Sequence, residues 1–146
     1  MDFKRIHQNF QLPTRSSQGA GGYDLYMPDA GFVPARITWA SATHVLVPLG
    51  FAAKVPEGHV ALILPRSGVG AKHGIELRNT CGVIDSDYTG EWKVAVKQKE
   101  GTDFHWTAGE RLFQYIIVPV GISDPVLVDE LPETDRGDSG FGGSGK

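Results

Sequence analysis

Residues 82–97 have the sequence GVIDSDYTGEWKVAVK, in which an acidic turn separates two short apolar runs. In the second run Trp92, Val94 and Val96 are large and apolar, and they alternate with Lys93, Ala95 and Lys97. A period of two predicts a β-strand with one buried and one solvated face. The first run leads directly to Asp85 and Asp87, and Gly90 closes the turn. The segment therefore predicts a strand, a turn and a second strand.

The turn itself allows two interpretations. Asp85 follows a strand end and lies close in sequence to the ring of Tyr88. A carboxylate in this setting can activate water against a substrate that has a flat face. Aspartates followed by glycine are also ordinary turn chemistry. From these residues alone, a catalytic site and a structural turn both stay open.

The same pattern of short apolar segments extends along the chain. These segments are rich in branched and aromatic residues, and glycine, proline or acidic turns bound them. The predicted strands are His44 to Val47, Phe51 to Val55, Val60 to Leu64, Trp92 to Val96 and Leu112 to Val118. Prolines recur throughout the sequence and disfavour long helices. The expected class is all-β, as a barrel or a sandwich.

Composition limits the possible functions. A chain of 146 residues that is 40% hydrophobic suits one domain with a real core. The formal net charge of -3 argues against a general nucleic-acid binder. No apolar run predicts a signal peptide or a membrane span, so we expect a soluble, cytoplasmic protein. Cys81 is the single cysteine, which excludes an internal disulfide framework, and the five histidines are scattered without metal-ligand spacing, which argues against a zinc site.

The segment PRSGVGAKHGI, residues 65–75, departs from the strand pattern. Pro65 is expected to end a strand, Ser67 to cap a short helix and Gly74 to terminate it. Free N–H groups at the helix start, beside Arg66, would suit an anion. The alternative is a capped surface helix of about two turns with no ligand.

The C-terminal residues 136–146, RGDSGFGGSGK, form a second candidate for binding. Five glycines surround Arg136 and Phe141, and a segment of this composition is flexible alone. A mobile end is one interpretation. A closing lid is the other, because flexible backbone can wrap phosphates while a ring covers a base.

Five segments in order resemble the motifs of the trimeric dUTP diphosphatase (dUTPase) family. Gly21 stands where the family usually has alanine, Leu112 and Phe113 replace smaller residues, and the tail has Asp138 and Ser139 where glycine is frequent. These departures concern packing and the tail. The matching segments are GGYDLY (21–26), PRSGVGAKHGI (65–75), GVIDSDYTGEW (82–92) with the preceding Asn79, GERLFQ (109–114) and RGDSGFGG (136–143).

The resemblance implies an activity and a set of site residues. The family hydrolyses dUTP to dUMP and pyrophosphate with Mg²⁺, which limits uracil incorporation into DNA and supplies dUMP for thymidylate synthesis. Asp85 matches the catalytic aspartate that deprotonates the attacking water, and Tyr88 matches the tyrosine that packs on deoxyribose. Asp24 matches an acid that orients the phosphates and contacts the metal through water. A buried acid paired with an arginine is the alternative. The other matching positions bind phosphates (Arg66, Ser67, Gly68, Gln114, Arg136), bind uracil (Asn79, Gly82, Ile84, Lys93) or cover the base (Phe141).

The resemblance also implies an architecture. We expect a distorted jelly-roll β-barrel over residues 1–135, one short helix after the second motif, and a flexible tail over residues 136–146. In the family, three chains form a homotrimer and share each site: one supplies motifs one, two and four, a second motif three, and a third the tail. Two other classes stay open, a dCTP deaminase on the same fold and a protein that regulates a protein partner. No nucleic acid or membrane partner is expected.

Overall fold

The computed structural model describes residues 1–33, 45–98 and 103–138, and their secondary structure is almost entirely β. The elements are β1 (Asp2–Arg5), β2 (Tyr23–Tyr26), β3 (Gly31–Val33), β4 (Val45–Lys54), β5 (His59–Pro65), α1 (Ser67–His73), β6 (Ile75–Leu77), β7 (Gly82–Ile84), β8 (Glu91–Gln98), β9 (Phe104–Trp106) and β10 (Arg111–Pro119). The expected all-β class with one short helix is confirmed. Within these ranges no helix is long and apolar enough to cross a membrane.

Two four-stranded sheets and one small sheet make up the fold. Their strand orders are β1-β4-β8-β6, β2-β10-β5-β7 and β3-β9. Neighbouring strands in all three sheets run antiparallel. This arrangement fits the expected jelly-roll barrel.

The core lies between the inner faces of the two larger sheets. Trp92, Val94 and Val96 of β8 are buried as their alternation predicts. Phe51 of β4 lies 5.1 Å from the Trp92 ring, and Tyr115 of β10 meets the same ring edge-on at 5.6 Å. Both sheets therefore contribute aromatic rings to one cluster.

Strand β4 corrects the predicted boundaries. Two separate strands, 44–47 and 51–55, were expected, but one strand of 10 residues runs from Val45 to Lys54. The pairing register with β8 shifts between Pro48 and Ala52, and Gly50 there has a φ of 76°. An irregularity of this kind accommodates a residue without an N–H and one with positive φ inside a strand. His44 lies outside the described residues.

The helix lies inside the second motif, not after it, and Ser67 is not its cap. Ser67 is the first helical residue, and the N-cap position is Arg66, which makes no capping hydrogen bond with its side chain. The reason is tertiary: the Arg66 N–H donates to the Leu112 carbonyl at 2.9 Å, which holds Arg66 extended beyond the end of β5. Gly74 ends the helix in the left-handed conformation, as predicted.

Candidate active site

A buried carboxylate between two arginines organises one end of the second sheet. Asp24 of β2 is only 6% exposed. Its Oδ1 lies 2.9 Å from Nε of Arg66, and its Oδ2 accepts a hydrogen bond of 3.1 Å from Nη1 of Arg111. A buried charge needs such partners because its removal from water is otherwise costly. Asp24 therefore shows the ion pairing that the sequence left as one alternative.

The topology of the sheet brings these three residues together. Strand β10 lies between β2 and β5, so Arg111 pairs in register with Tyr26 while Arg66 follows the end of β5. Nη1 of Arg66 also donates to the Arg111 carbonyl at 3.2 Å. Sequence reasoning missed Arg111, although it lies inside the GERLFQ motif. The signal that could have found it is the need of a buried acid for more than one partner.

Gln114 joins the same cluster. It pairs in register with Asp24 on one side and with Leu64 on the other, and its Nε2 donates to the Pro65 carbonyl at 3.4 Å. A side chain at Gly22 would collide with the Gln114 amide, so glycine in the first motif makes room for this group. We define Asp24, Arg66, Arg111 and Gln114 as the basic cluster.

The basic cluster borders open space. Exposed Ser67 and Gly68 begin the helix directly after Arg66. Arg66 and Arg111 also line a groove of about 560 Å³ together with His73 and Phe104, whose rings lie 5.0 Å apart. Fixed guanidinium groups beside a helix start can hold a negatively charged ligand.

The acidic turn lies elsewhere in the fold. Asp85 follows β7 and its side chain is exposed. The Tyr88 N–H donates to the Asp85 carbonyl at 3.2 Å, and the Tyr88 hydroxyl donates to the Glu91 carbonyl at 3.0 Å. A Cβ at Gly90 would meet the Tyr88 ring, so glycine lets this ring fold over the turn. We call residues 85–90 the Asp85 turn.

The loop that connects β6 to β7 contains a strained residue. Thr80 has a φ of 67°, the single positive value for a non-glycine residue in the described ranges. A β-branched residue rarely adopts this conformation. The Cys81 N–H donates to the Asn79 carbonyl at 2.7 Å, and the Arg78 N–H donates to the Ala95 carbonyl at 2.8 Å. The second bond continues the β6–β8 pairing toward Lys93, so Asn79 and Lys93 belong to neighbouring segments.

A long stretch of chain follows the last strand. Strand β10 ends at Pro119, and every residue from Val120 to Asp138 is exposed. Arg136 falls in this stretch, and the Gly137 N–H donates to the Thr134 carbonyl at 3.0 Å. Phe141 lies outside the described residues. The boundary between a barrel of 1–135 and a tail of 136–146 stays a prediction.

One chain keeps the basic cluster and Asp85 apart. Ala61 of β5 pairs with Ile84, so Asp85 emerges beside the start of β5, whereas Arg66 follows its end. Six residues separate these two levels, which corresponds to about 20 Å at a strand rise of about 3.3 Å per residue. The structure thus brings together Asp24, Arg66 and Gln114, but not Asp85.

The fold and the basic cluster define an all-β protein in which one buried carboxylate fixes two arginine side chains. A family model described as dUTPase matches residues 8–145. The chain belongs to the dUTPase family, as its five motifs predict.

Two relatives that are more than 40% identical to this chain carry a more specific name. The chain is 43% identical over 135 residues to the deoxyuridine 5'-triphosphate nucleotidohydrolase of Gamma-proteobacterium EBAC31A08, covering 92% of this chain and 94% of the relative. It is 44% identical over 142 residues to the protein of that name from Shewanella denitrificans, covering 97% and 91%.

Solved structures resemble the fold closely. The dUTPase of Staphylococcus bacteriophage 80alpha with dUPNHPP superimposes with a TM-score of 0.85 at 23% identity, covering 99% of this chain and 98% of that chain. A mutant dUTPase from phage phi11 of S. aureus, described for its coordination of a structural Mg(II) ion, gives 0.77 at 20% identity, covering 88% and 96%. At these identities the likeness concerns the fold.

Proposed function

We propose that this dUTPase-family enzyme hydrolyses dUTP to dUMP and pyrophosphate at sites completed by neighbouring subunits. Hydrolysis of dUTP is the activity of the family to which the chain belongs. The observation that carries the proposal is the basic cluster, in which a buried carboxylate fixes two guanidinium groups beside a helix start. Phosphoryl transfer depends mainly on such fixed positive charge and on positioning.

The basic cluster binds the triphosphate in this proposal. Asp24 engages Nε of Arg66 and Nη1 of Arg111, and Nη1 of Arg66 also donates to the Arg111 carbonyl; the other guanidinium N–H groups bind the phosphate oxygens in this proposal. Ser67, Gly68 and the Gln114 amide extend the set of phosphate donors. Because the arginines are held before substrate arrives, little reorganisation is needed in the transition state.

The Asp85 turn supplies the chemistry. The Asp85 carboxylate orients the attacking water and accepts its proton as that water attacks the α-phosphorus. The exposed Tyr88 ring, folded over Gly90, packs on the deoxyribose and leaves no room for a 2'-hydroxyl.

The loop of residues 79–82, together with Ile84 and Lys93, selects uracil with fixed polar groups. Cytosine reverses the donor and acceptor of uracil, so the same groups leave it unpaired. The Cys81 N–H already binds Asn79 and is not free for this task. Recognition of uracil therefore depends on the Asn79 side chain and on the other backbone groups of this loop.

A homotrimer with shared sites explains the distance within one chain. About 20 Å of strand separates Asp85 from Arg66, so a water held by Asp85 reaches a phosphate on Arg66 only if the two residues come from different copies. The stretch after Pro119 supports assembly as well, because it exposes large apolar side chains that a free chain would leave in water. These are Ile122, Val126, Leu127, Val128 and Leu131. Arg136 and Phe141 then complete a site on another copy.

Mg²⁺ fits this site as an ion held mainly by substrate phosphates. Within the described residues no group of three or more histidine, cysteine or acidic side chains could hold a metal. Both Asp24 oxygens bind arginines, so Asp24 would contact the ion through water. The ion supplies charge neutralisation on the phosphate oxygens. Chelation should abolish turnover, and added Mg²⁺ should restore it.

The released product distinguishes the proposed activity from that of a dCTP deaminase. A dCTP deaminase would release ammonia, and a cytoplasmic hydrolase of dUTP would release pyrophosphate. The phage 80alpha structure is described as showing that phage dUTPases control transfer of virulence genes, but at 23% identity this likeness shows the fold alone and does not support a regulatory role for this chain.

A pyrophosphate-release assay with dUTP, dCTP, dTTP and UTP tests the function. We expect strong preference for dUTP, because the loop of residues 79–82 selects uracil and Tyr88 selects deoxyribose. Comparable turnover of dCTP or UTP, or release of ammonia from dCTP, would overturn the proposal.

A further inference from the structure

Lys54 contacts the Asp85 turn from a distant part of the chain. It is the last residue of β4, and its Nζ donates a hydrogen bond of 2.6 Å to the carbonyl of Ser86. Ser86 directly follows Asp85. Thirty-two residues separate donor from acceptor, so this bond is tertiary.

The other bonds of the Asp85 turn are local. Those from the Tyr88 N–H to the Asp85 carbonyl and from the Tyr88 hydroxyl to the Glu91 carbonyl each span three residues. Strand pairing holds the two ends of the turn, since β7 pairs with β5 and Glu91 of β8 pairs with Ala52 of β4, and the local bonds fix the shape between these ends. The bond from Lys54 ties the middle of the turn to β4.

The bond lies at the surface beside a groove of about 240 Å³. This groove is lined by Thr89 of the turn and by residues of the β1–β4 pair, namely Asp2, Phe3, Lys4, Ala52, Ala53 and Lys54. The ammonium donor makes the bond charge-assisted, and such bonds are shorter and stronger than neutral ones.

We infer that Lys54 is a positioning residue for dUTP hydrolysis, which holds the Asp85 turn at the place where its carboxylate meets the attacking water. The inference rests on the proposed role of Asp85. Lys54 acts on the turn through the Ser86 carbonyl and need not touch the nucleotide. Small misplacements of a catalytic group reduce the rate of the chemical step strongly.

The experiment compares Lys54→Met, Lys54→Arg and the control Lys4→Met in the full chain. Methionine keeps the apolar stem but removes the donor, and arginine keeps charge and donors. Lys4 lies on β1 opposite Ala52, exposed on the same pair of strands. Rates with dUTP are expressed per site that binds a non-hydrolysable imido analogue of dUTP, so misfolded protein does not enter the comparison.

We expect kcat of Lys54→Met to fall about tenfold, a moderate case of the loss that misplacement causes, with KM and analogue binding within twofold of wild type. Lys54→Arg should recover most of kcat, and Lys4→Met should behave as wild type. An unchanged kcat in Lys54→Met would overturn the inference, as would an equal loss in Lys4→Met or a change confined to KM. If wild type does not hydrolyse dUTP, the proposed function fails instead.

Discussion

Two aspartates at opposite ends of β5 have contrasting environments. Asp24 is buried and both of its oxygens bind arginines, whereas Asp85 is exposed and the bonds around it involve backbone carbonyls. A carboxylate that is fully paired stabilises and orients its partners. A carboxylate that faces solvent is available to water. The difference agrees with the proposed function, in which Asp24 orients the arginines and Asp85 acts on water.

The largest expected effect is that of Asp85→Asn on turnover. The amide keeps the shape of the side chain but cannot take a proton, so turnover should fall by about a hundredfold or more. Binding of dUTP and the melting temperature should stay near wild type, because Asp85 is exposed. Near-normal turnover in the purified variant would remove Asp85 as the base. Asp87→Asn, two residues away in the same turn, is the matched control and should stay active.

Asp24→Asn should give the opposite pattern and reduce stability first. Loss of the charge leaves two guanidinium groups without their common partner, at a cost of about 2 kcal/mol, less than for a fully buried pair because both arginines are partly exposed. Urea unfolding at one protein concentration measures this cost.

Asp29→Asn is the control for that measurement. Its Oδ2 lies 3.1 Å from Nε2 of His7 in a largely exposed contact, so we expect a loss below about 1 kcal/mol. Equal losses in the two variants would mean that burial of Asp24 does not matter.

Mixing two inactive proteins tests whether Asp85 and the tail of one site come from different chains. One parent is Asp85→Asn, and the other is truncated before Arg136; each should form a folded but nearly inactive trimer. Random equal mixing under threefold symmetry completes about one quarter of the sites. Recovery of about a quarter of wild-type activity after co-refolding supports sharing. Activity at the level of the parents, in heterotrimers verified by mass spectrometry, would refute it.

The smallest effect concerns Thr80 in the loop between β6 and β7, where backbone strain rather than charge affects stability. Thr80→Gly removes the cost of a β-branched residue at positive φ but increases the freedom of the unfolded chain, for a net gain of about 1 kcal/mol or less. Thermal unfolding measures the shift, and Thr80→Ala should lie between glycine and wild type. A clear loss of stability in Thr80→Gly would show that the Thr80 side chain makes contacts that outweigh its strain.

Local patterns predicted the regions of β4, β5, β7, β8 and β10, because the apolar pattern of a strand lies in consecutive residues; the short strands β1, β2, β3, β6 and β9 were not predicted. Trp92, Val94 and Val96 are the clearest example. Features set by distant residues were missed. Ser67 was predicted as a cap because the sequence does not reveal that Leu112 binds the Arg66 N–H, and β4 was divided because Pro48 and Gly50 suggest an end where an irregularity exists.

The candidate site was predicted from motifs, and its geometry was not. Asp24, Arg66 and Gln114 were named from the resemblance, and the sheet order explains why they meet. Arg111 was overlooked because its partnership with Asp24 depends on the pairing of β10 with β2. The role of Lys54 was equally hidden, since no local pattern connects β4 with Ser86. The functions of the individual residues stay predictions until they are measured.

Strand β5 sets a length that every copy of the chain repeats. Six residues along β5 separate the level of Asp85 from Arg66, so in the proposed homotrimer an insertion or deletion in β5 would move the Asp85 turn relative to the basic cluster in every subunit. Adding two residues would preserve the alternation of faces and still displace them by about 7 Å. We therefore expect insertions and deletions to be tolerated much better after Pro119 than within β5.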